Sequence, residues 1–210
     1  MKVLALDIST KTGWALLEDN RIDAQPVLLN YGLINTSEEV KKLKKQKEYP
    51  WGFFLACAHT ADELIDLITK TEAKNIVIEE TNPGGRGNRY SQKILEYIHC
   101  LLILGLDKSD IKVYYINSSE WRRALGLVLS KDDKKNNKLL KKAKDMAEAT
   151  KTNLDKTKLG IKGKVTKKHV AVRWVNERYN KDFKIKDNDT CEAICLGCAY
   201  IKGAKICNGE

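Results

Sequence analysis

Four carboxylates occupy positions where a predicted element of secondary structure meets a loop. Asp7 ends the apolar run VLAL, and Glu79 ends the apolar run IVI. Asp189 and Glu192 are three residues apart at the start of a predicted helix, so their side chains share one face. Ligands bind beyond the strand ends of open α/β sheets. The positions therefore predict that these acids meet at one edge of a sheet.

Carboxylates that converge at a buried site need a partner that neutralises their charge. Divalent cations with oxygen ligands are the partner that these residue types favour. A pair of Mg²⁺ ions about 3.5 to 4 Å apart can activate a water and stabilise the leaving oxygen of an in-line displacement. The four acids thus predict a two-metal site suited to phosphodiester cleavage.

Each acid taken alone also has an ordinary structural explanation. A carboxylate at a strand end often caps a helix or pairs with a basic side chain, and Asp189 and Glu192 would interact favourably with a helix dipole. The order of the four acids along the chain, together with the elements around them, favours the metal-site interpretation.

The apolar pattern predicts a mixed series of strands and helices. Strands are predicted at 2–8, 13–18, 27–34, 76–78 and 112–117, and helices at 52–71, 90–105, 134–150, 165–179 and 189–201, with a short helix that Ser118 is expected to cap. The first three strands are expected to form an antiparallel meander. The stretch at 41–48 is interpreted as a solvated connector. The series predicts an α/β fold with a mixed sheet flanked by helices.

Positive charge is concentrated in one segment of the chain. The protein of 210 residues has a net charge of +10, and residues 131–168 contain 14 lysines against five acids. Such a charge indicates a polyanionic partner, either nucleic acid or an anionic membrane surface. The segment has the character of an insertion, with a mobile loop expected after residue 150. Its simpler interpretation is a loop that only increases solubility.

Composition and hydropathy exclude several classes of protein. No window approaches the roughly 20 apolar residues of a membrane span, and no signal-peptide pattern is present, so a soluble cytoplasmic protein is expected. The six cysteines are then expected to be reduced. Cys191, Cys195 and Cys198 have a spacing similar to the iron–sulfur motif of radical SAM enzymes. Because that spacing also repeats every helical turn in an apolar run, buried helix residues are the better explanation.

Five short motifs together resemble those of a known nuclease family. They are LALDISTKTGWAL, IVIEETNPGGRGNRYSQKILEYIH, INSSEWRRALGL, KVTKKHVAVRWV and DNDTCEAICLGCAYI. In this order they are similar to the RuvC-type Holliday junction resolvases, members of the ribonuclease H-like superfamily, and particularly to the phage and viral branch. The resemblance covers nearly the whole chain except the connector at 36–50 and the lysine-rich stretch.

The resemblance implies a fold, an activity and an assembly. The fold would be ribonuclease H-like, with a five-stranded sheet whose first three strands are antiparallel. Residues 1–210 would form a single RuvC-like nuclease domain with a lysine-rich insertion at about 131–164. The activity would be metal-dependent cleavage of four-way junctions or other branched DNA by a homodimer. Two Mg²⁺ ions per site are implied, with Mn²⁺ as a substitute.

The resemblance also assigns roles to the acids. Asp7 matches the aspartate that bridges both metals, Glu79 matches the glutamate at the end of the fourth strand, and Asp189 with Glu192 matches a D-x-x-D pair. The last acid departs from the pattern, because relatives carry aspartate or histidine where this chain has the longer Glu192. Glu80 is expected to be a neighbour of the site, since side chains alternate along a strand.

Basic and aromatic residues are implied as DNA contacts. Lys168, or Lys167 beside it, matches a basic residue near the metals that could stabilise charge on the phosphate. The glycine-rich loop and the helix after it would contact DNA, and the lysine-rich stretch would bind phosphates. The residues predicted to bind DNA are Arg86, Arg89, Tyr90, Lys134, Lys135, Lys138, Lys141, Lys142 and Lys167. Tyr90 could instead pack under its loop, and any one of the lysines could be a solvated surface charge.

Other functions remain compatible with parts of the pattern. An ATPase of the actin and Hsp70 type also places an aspartate, a glycine and hydroxyl residues after its first strand, but it needs a second domain. A ribonuclease H-like nuclease acting on flaps or RNA/DNA hybrids would carry the same acids. A catalytically silent DNA-binding module has no reason to keep four repelling carboxylates. The helix at 90–105 is a candidate subunit contact or, alternatively, a buried core helix.

Overall fold

A mixed five-stranded sheet forms the centre of the protein. The computed structural model describes residues 1–20, 25–80, 89–107, 109–151 and 163–207, apart from the side chains of residues 89 and 90. The strands are β1 (Lys2–Asp7), β2 (Lys11–Glu18), β3 (Val27–Asn35), β4 (Asn75–Glu79) and β5 (Lys112–Ile116), in the order β3-β2-β1-β4-β5. The first three strands are antiparallel, and β4 and β5 run parallel to β1. The predicted mixed sheet is confirmed.

Helices cover both faces of this sheet. They are α1 (Ser37–Gln46), α2 (Trp51–Thr71), α3 (Arg89–Leu106), α4 (Ser118–Ala124), α5 (Lys131–Ala149), α6 (Lys167–Tyr179) and α7 (Asn188–Ile201), with a single 3-10 turn before α7. The side chains of α2 and α3 pack on one face, and those of α4, α6 and α7 pack on the other. Within the described ranges, no helix has both the length and the apolar character that crossing a membrane requires.

The alternation of side chains along β1 builds two separate cores. Leu4 and Leu6 are fully buried against α2 and α3, whereas Val3 and Ala5 are fully buried against α7. Side chains of a strand point alternately to opposite faces, so Asp7 continues the series that faces α7. The same rule applies to β4, where Val77 is buried in the core on the α7 face and Glu79 follows two residues later. Both acids therefore point to the same face of the sheet.

Two glycines allow α7 to lie very close to β2. A Cβ atom on Gly13 would lie 2.1 Å from the carbonyl carbon of Asp189, and one on Gly197 would lie 2.4 Å from Cδ1 of Leu17. Gly13 is also the residue that pairs with Asp7 across the β1–β2 ladder. The hydroxyl of Thr190 donates to the carbonyl of Gly32 at 3.0 Å, which fixes the start of α7 over the sheet. The close approach brings the first turn of α7 beside the end of β1.

Two local predictions from the sequence are wrong. The stretch at 41–48 is not a connector throughout, because residues 37–46 form the helix α1. Its side chain at Val40 is buried, while its lysines are mostly exposed. The short helix after β5 is capped by Asn117 rather than by Ser118, since the Asn117 side chain accepts a hydrogen bond from the backbone of Ser119 at 2.9 Å.

The lysine-rich segment contains the helix α5, and the first turn of α5 is bonded to α6. The side chain of Asp133 completes a capping box with Ser130 and accepts two hydrogen bonds from the guanidinium of Arg173 on α6. These hydrogen bonds hold the pKa of Asp133 well below its ordinary value. The side chain of Asn137 bonds both backbone groups of Val165, at 2.7 and 2.9 Å. The predicted mobile loop lies largely outside the described residues.

The three cysteines with the C-x3-C-x2-C spacing lie inside α7. Cys191, Cys195 and Cys198 are free thiols and are buried in the core. Burial raises the pKa of Cys191 to about 12, so the thiol stays protonated. The hydroxyl of Tyr179 lies 3.1 Å from the sulfur of Cys198. This agrees with the interpretation of the spacing as one buried helix face.

Candidate active site

Three of the predicted acids form one compact group. Carboxylate oxygens of Asp7, Asp189 and Glu192 lie within 4.8 Å of one another. Asp7 comes from the last position of β1, and the other two come from the first turns of α7. The glycine at position 13 makes this possible, because it lets the backbone of Asp189 lie close to β2. The structure therefore brings the end of a strand and the start of a helix into one acidic cluster.

Glu79 lies beside this cluster at the end of β4. β4 is the parallel neighbour of β1, so the two strands end at the same edge of the sheet. One carboxylate oxygen of Glu79 accepts a hydrogen bond from the indole N–H of Trp121 at 2.8 Å. Trp121 is fully buried on α4. The indole thus orients Glu79 toward the face that carries the other three acids.

The carboxylates strongly affect one another. The pKa of Asp7 is raised well above its ordinary value, first by burial and then by the negative charges of Glu79, Glu192 and Asp189. Burial also raises the pKa of Glu79, although the Trp121 hydrogen bond and the charge of Arg122 oppose this. A crowded group of acids with raised pKa values is short of positive charge. The cluster would therefore be stabilised by a cation.

Lys168 provides one positive charge at the exposed side of the cluster. Its ammonium nitrogen lies 3.1 Å from Oδ1 of Asp189 and 3.5 Å from Oε2 of Glu192. Burial lowers the pKa of Lys168, but the nearby carboxylates of Asp189, Glu192 and Asp7 raise it by a larger amount. The net shift of this pKa is therefore upward. The side chain also donates to Asn188. Of the two candidate lysines, Lys168 is the one paired with the acids.

Arg122 supplies a second positive charge, which the sequence analysis did not identify. Its guanidinium is paired with Oε1 of Glu192, donates to the carbonyl of Ser118 at 3.2 Å and lies 3.9 Å from the centre of the Trp121 ring. The pair is deeply buried, with 14% of the Arg122 side chain and 5% of the Glu192 side chain exposed. One oxygen of Glu192 thus faces Arg122 and the other faces Lys168.

Arg122 could have been found from its place in the sequence. It follows Trp121 in the motif INSSEWRRALGL, shortly after the end of β5. β5 is parallel to β4 and β1, so its end lies at the same edge as Asp7 and Glu79. The rule that led to the acids therefore also applies to Arg122. What the sequence lacked was any indication that this arginine, and not the adjacent Arg123, points inward.

The donor atoms of the cluster fit a divalent cation. Carboxylate oxygens are the ligands that Mg²⁺ and Mn²⁺ prefer. Three such donors converge within 4.8 Å, and Glu79 adds a fourth beside them. Among the residues that the structure describes, these four carboxylates face two cationic side chains, Arg122 and Lys168. Both the ligand type and the charge deficit are those of a metal site.

The residues predicted to contact DNA have different positions. Arg86 lies outside the described residues, as do the side chains of Arg89 and Tyr90, whose backbone begins α3. Lys167 is exposed at the first position of α6. At about 100° per residue, six of the seven exposed lysines of α5 share an arc of about 120° that points away from Asp133 and Leu140, and Lys144 lies outside this arc. This lysine stripe contains Lys131, Lys134, Lys135, Lys138, Lys141 and Lys142.

Similar folds occur among Holliday junction resolvases. The structure of Thermus thermophilus RuvC in complex with a Holliday junction substrate aligns with a TM-score of 0.61 and 10% identity, over 99% of this chain and 100% of that chain. A second structure of Thermus thermophilus RuvC gives a TM-score of 0.59 and 10% identity over the same shares. This chain has a ribonuclease H-like fold of the RuvC type. The mixed five-stranded sheet is therefore the sheet of that fold.

A eukaryotic resolvase shares the fold at a lower similarity. The yeast mitochondrial Holliday junction resolvase Ydc2 aligns with a TM-score of 0.51 and 13% identity, over 95% of this chain and 77% of that one. No family model and no curated protein matches the sequence. At these identities the comparisons establish the ribonuclease H-like fold, and the function has to be argued from the site itself.

Replacing Asp7 by asparagine should stabilise the protein in metal-free buffer. The substitution removes one of the repelling charges, so we expect a higher unfolding midpoint in EDTA. Ligand binding stabilises a folded protein according to its affinity, so Mg²⁺ should raise the midpoint of the wild type more than that of Asp7→Asn. Differential scanning fluorimetry across a Mg²⁺ titration measures both effects. Equal responses of the two proteins to Mg²⁺ would contradict a metal site at Asp7.

Arg122→Met should destabilise the fold much more than the same change at the neighbouring position. It leaves Glu192 buried without its guanidinium partner, which costs about 3 to 5 kcal/mol for a buried pair. Arg123 pairs with Glu120 at the surface, so Arg123→Met is the matched control and should cost less than about 1 kcal/mol. Urea unfolding of the three proteins provides the comparison. A similar cost for both variants would show that Arg122 does not compensate the acids.

Proposed function

We propose that this chain is a metal-dependent endonuclease that cleaves branched DNA, and four-way junctions in particular. The observation that carries the proposal is the cluster of Asp7, Asp189 and Glu192 within 4.8 Å at the strand edge of a ribonuclease H-like sheet. Glu79 and Lys168 border the same cluster. Phosphodiester hydrolysis requires stabilisation of negative charge on the attacking and leaving oxygens, and an edge open to substrate with this donor set suits that reaction.

The proposed ligands divide between the strands and the last helix. Asp7 is near both Glu79 and the α7 pair, so it is the residue that would contact two ions. The proposed ions are two Mg²⁺ per site, with Mn²⁺ as a substitute. When bound, they would lower the pKa of a coordinated water and stabilise charge on the phosphate oxygens. Asp189 and Glu192 would complete the coordination from the first turns of α7.

Three further side chains have distinct proposed roles. Lys168 is half-exposed and protonated, so it is placed to donate to a phosphate oxygen that approaches Asp189. Arg122 is a positioning residue, because it contacts Glu192 from the buried side. Trp121 has the same role for Glu79 through its indole N–H. The reactive carboxylates are therefore fixed before any substrate binds, which reduces the reorganisation needed during the reaction.

The DNA backbone is proposed to contact the lysine stripe of α5. Asn137 bonds the segment that precedes α6, and about 18 Å of α5 extends from Asn137 to the C-terminal end of the helix. α6 begins with Lys167 and Lys168, and Lys168 pairs with the acidic cluster. The attachment of α5 to α6 therefore holds the lysine stripe in a fixed position relative to the cluster. The stretch at 131–164 is thus proposed as an insertion that adds phosphate contacts to a single nuclease domain. Three residues that follow β4 in the sequence are also proposed to contact DNA, namely Arg86, Arg89 and Tyr90.

The proposed substrate and assembly follow from the similar structures together with the motifs. The Thermus thermophilus protein is described in complex with a Holliday junction substrate, and the yeast protein is described as a Holliday junction resolvase. Cutting such a junction into two duplexes requires two nicks on opposed strands. The described part of each chain holds one such acidic cluster, which would supply one nick, so a homodimer is proposed. The motifs are most similar to those of the phage and viral branch of the family.

A cleavage assay tests this proposal directly. Purified protein with Mg²⁺ should introduce paired symmetric nicks in a four-way junction, and not in a linear duplex of the same sequence. Glu79→Gln should abolish cutting while junction binding persists, because only the metal site is changed. Glu80→Gln is the matched control, since Glu80 is the next residue but points to the other face of the sheet. Loss of cutting in both variants, or in neither, would contradict the assignment of Glu79.

The same assay separates the alternative functions. A flap substrate and an RNA/DNA hybrid should be cut more slowly than the junction, and ATP should not be hydrolysed. Preferential cutting of the hybrid or the flap would indicate a ribonuclease H-like nuclease with a different substrate. Turnover of ATP without any DNA cleavage would overturn the nuclease proposal.

Neutralising the lysine stripe should weaken junction binding and change its salt dependence. Each phosphate neutralised on duplex DNA contributes about 0.9 to the slope of log K against log salt. Replacing Lys134, Lys135, Lys138, Lys141 and Lys142 by glutamine should therefore reduce the slope by up to about 4.5. The control carries arginine at the same five positions and should keep the slope. An unchanged slope in the glutamine variant would show that the stripe does not contact DNA.

A further inference from the structure

A second surface at the active-site edge carries large exposed aromatic side chains. Tyr49 and Trp51 are 72% and 70% exposed where α1 leads into α2, and Phe54 follows on the first turns of α2. Adjacent exposed aromatic residues are informative because a soluble domain normally buries them. We define these three residues, together with Lys44 and Lys93, as the aromatic–lysine surface.

Positive charges are held directly beside the aromatic rings. The ammonium nitrogen of Lys93 lies 6.0 Å from the ring centre of Tyr49 and 5.6 Å from that of Phe53. The ammonium nitrogen of Lys44 lies 5.6 Å from the same Phe53 ring. Phe53 is buried and packs edge-to-face on Tyr97, at 5.7 Å between ring centres. The buried Phe53 ring thus lies beside both lysines and holds them next to the exposed rings.

This surface belongs to the same edge of the sheet as the acidic cluster. Position 35 at the end of β3 pairs with Lys11, and the backbone N–H of Thr36 donates to the carbonyl of Thr10 in the turn after β1. α2 begins at this edge and leads to the start of β4 at the opposite edge. α3, which carries Lys93, begins after the end of β4. The surface therefore borders the acidic edge from the face opposite to α7.

The charge of α1 extends the positive character of this surface. The segment from α1 to Tyr49 contains five lysines and three glutamates, and most of the lysines are exposed. Lysine is depleted at the centres of protein–protein interfaces, because its ammonium group loses hydration there. Lysines beside exposed aromatic rings are instead the combination with which proteins bind single-stranded nucleic acid. Charge complementarity thus favours a nucleic-acid strand over a second protein.

We propose that the aromatic–lysine surface binds unpaired nucleotides of a DNA strand next to the active-site edge. Trp51 and Tyr49 would stack on bases, and Lys44 and Lys93 would contact the flanking phosphates. A base has two free faces only where it is unpaired, as at a branch point or a strand end. The proposal rests on the proposed function only in taking DNA as the substrate. It adds a specificity for unpaired bases that the acidic cluster alone does not provide.

The test measures binding without cleavage. All variants are made in the Asp7→Asn background, and their affinities for a fluorescent 12-nucleotide oligothymidine and for a blunt duplex of equal length are compared by anisotropy at low salt. Replacing both Tyr49 and Trp51 by alanine should weaken oligothymidine binding about tenfold or more, because stacking is lost. Duplex binding should change less than about twofold, because the phosphate contacts remain. Trp51→Phe, which keeps an aromatic face, should retain most of the affinity.

A matched control removes an exposed apolar side chain from the opposite edge. Leu104 is 67% exposed near the end of α3, so Leu104→Ala should leave oligothymidine binding unchanged. Unchanged oligothymidine affinity in the Tyr49 and Trp51 double variant would overturn the proposal. If that variant instead alters the elution volume on a sizing column and keeps its affinity, the surface is a protein interface.

The outcomes also distinguish this proposal from the proposed function. Failure of the starting protein to bind any DNA would overturn both. In a second outcome, the double variant loses oligothymidine binding while the chain carrying Asp7 does not cleave the junction. This result would support the proposed nucleotide-binding surface and contradict the proposed nuclease function. Junction cleavage by that chain together with unchanged oligothymidine binding in the double variant would reject the surface alone.

Discussion

The contact between β2 and the start of α7 is the constraint on which the acidic cluster depends. Gly13 lets the backbone of Asp189 approach the sheet, and the β1–β2 ladder places Asp7 directly opposite Gly13. The carboxylates are thus brought together by backbone packing, despite their mutual repulsion. The fold stabilises this arrangement through two apolar cores whose side chains are almost fully buried. A site that destabilises itself can persist when the surrounding core compensates for it.

The charges around the cluster are distributed asymmetrically between the interior and the solvent. Arg122 and Trp121 contact Glu192 and Glu79 from the buried side, whereas Lys168 pairs from the exposed side. The buried contacts provide hydrogen bonds to carboxylate oxygens that water cannot reach. Without these partners, burial of the oxygens would cost their desolvation free energy. The exposed side keeps a deficit of positive charge. The asymmetry gives the site a fixed inner wall and leaves its outer side accessible to solvent.

The sequence predicted the architecture because the relevant signals are local and periodic. The continuous apolar runs VLAL and IVI predicted buried strands, and the acid that follows each run predicted a common edge. The helix α1 was missed because only Val40 and Leu43 are apolar among its lysines, which resembles a solvated chain. Arg122 was missed because its direction depends on the packing of Trp121 in the core. Contacts that are set by tertiary packing leave no periodic signal in the sequence.

The attachment of α5 has a consequence for how such a chain can evolve. Asp133 and Asn137 connect this helix to α6 and to the segment before it through hydrogen bonds, and only Leu140 adds a buried apolar side chain. An appendage attached in this way can be lengthened, shortened or recharged without repacking either core. The chemistry at the sheet edge and the reach of the basic helix are then separable traits. Selection could adjust the length and charge of this helix while the acidic cluster stays constant.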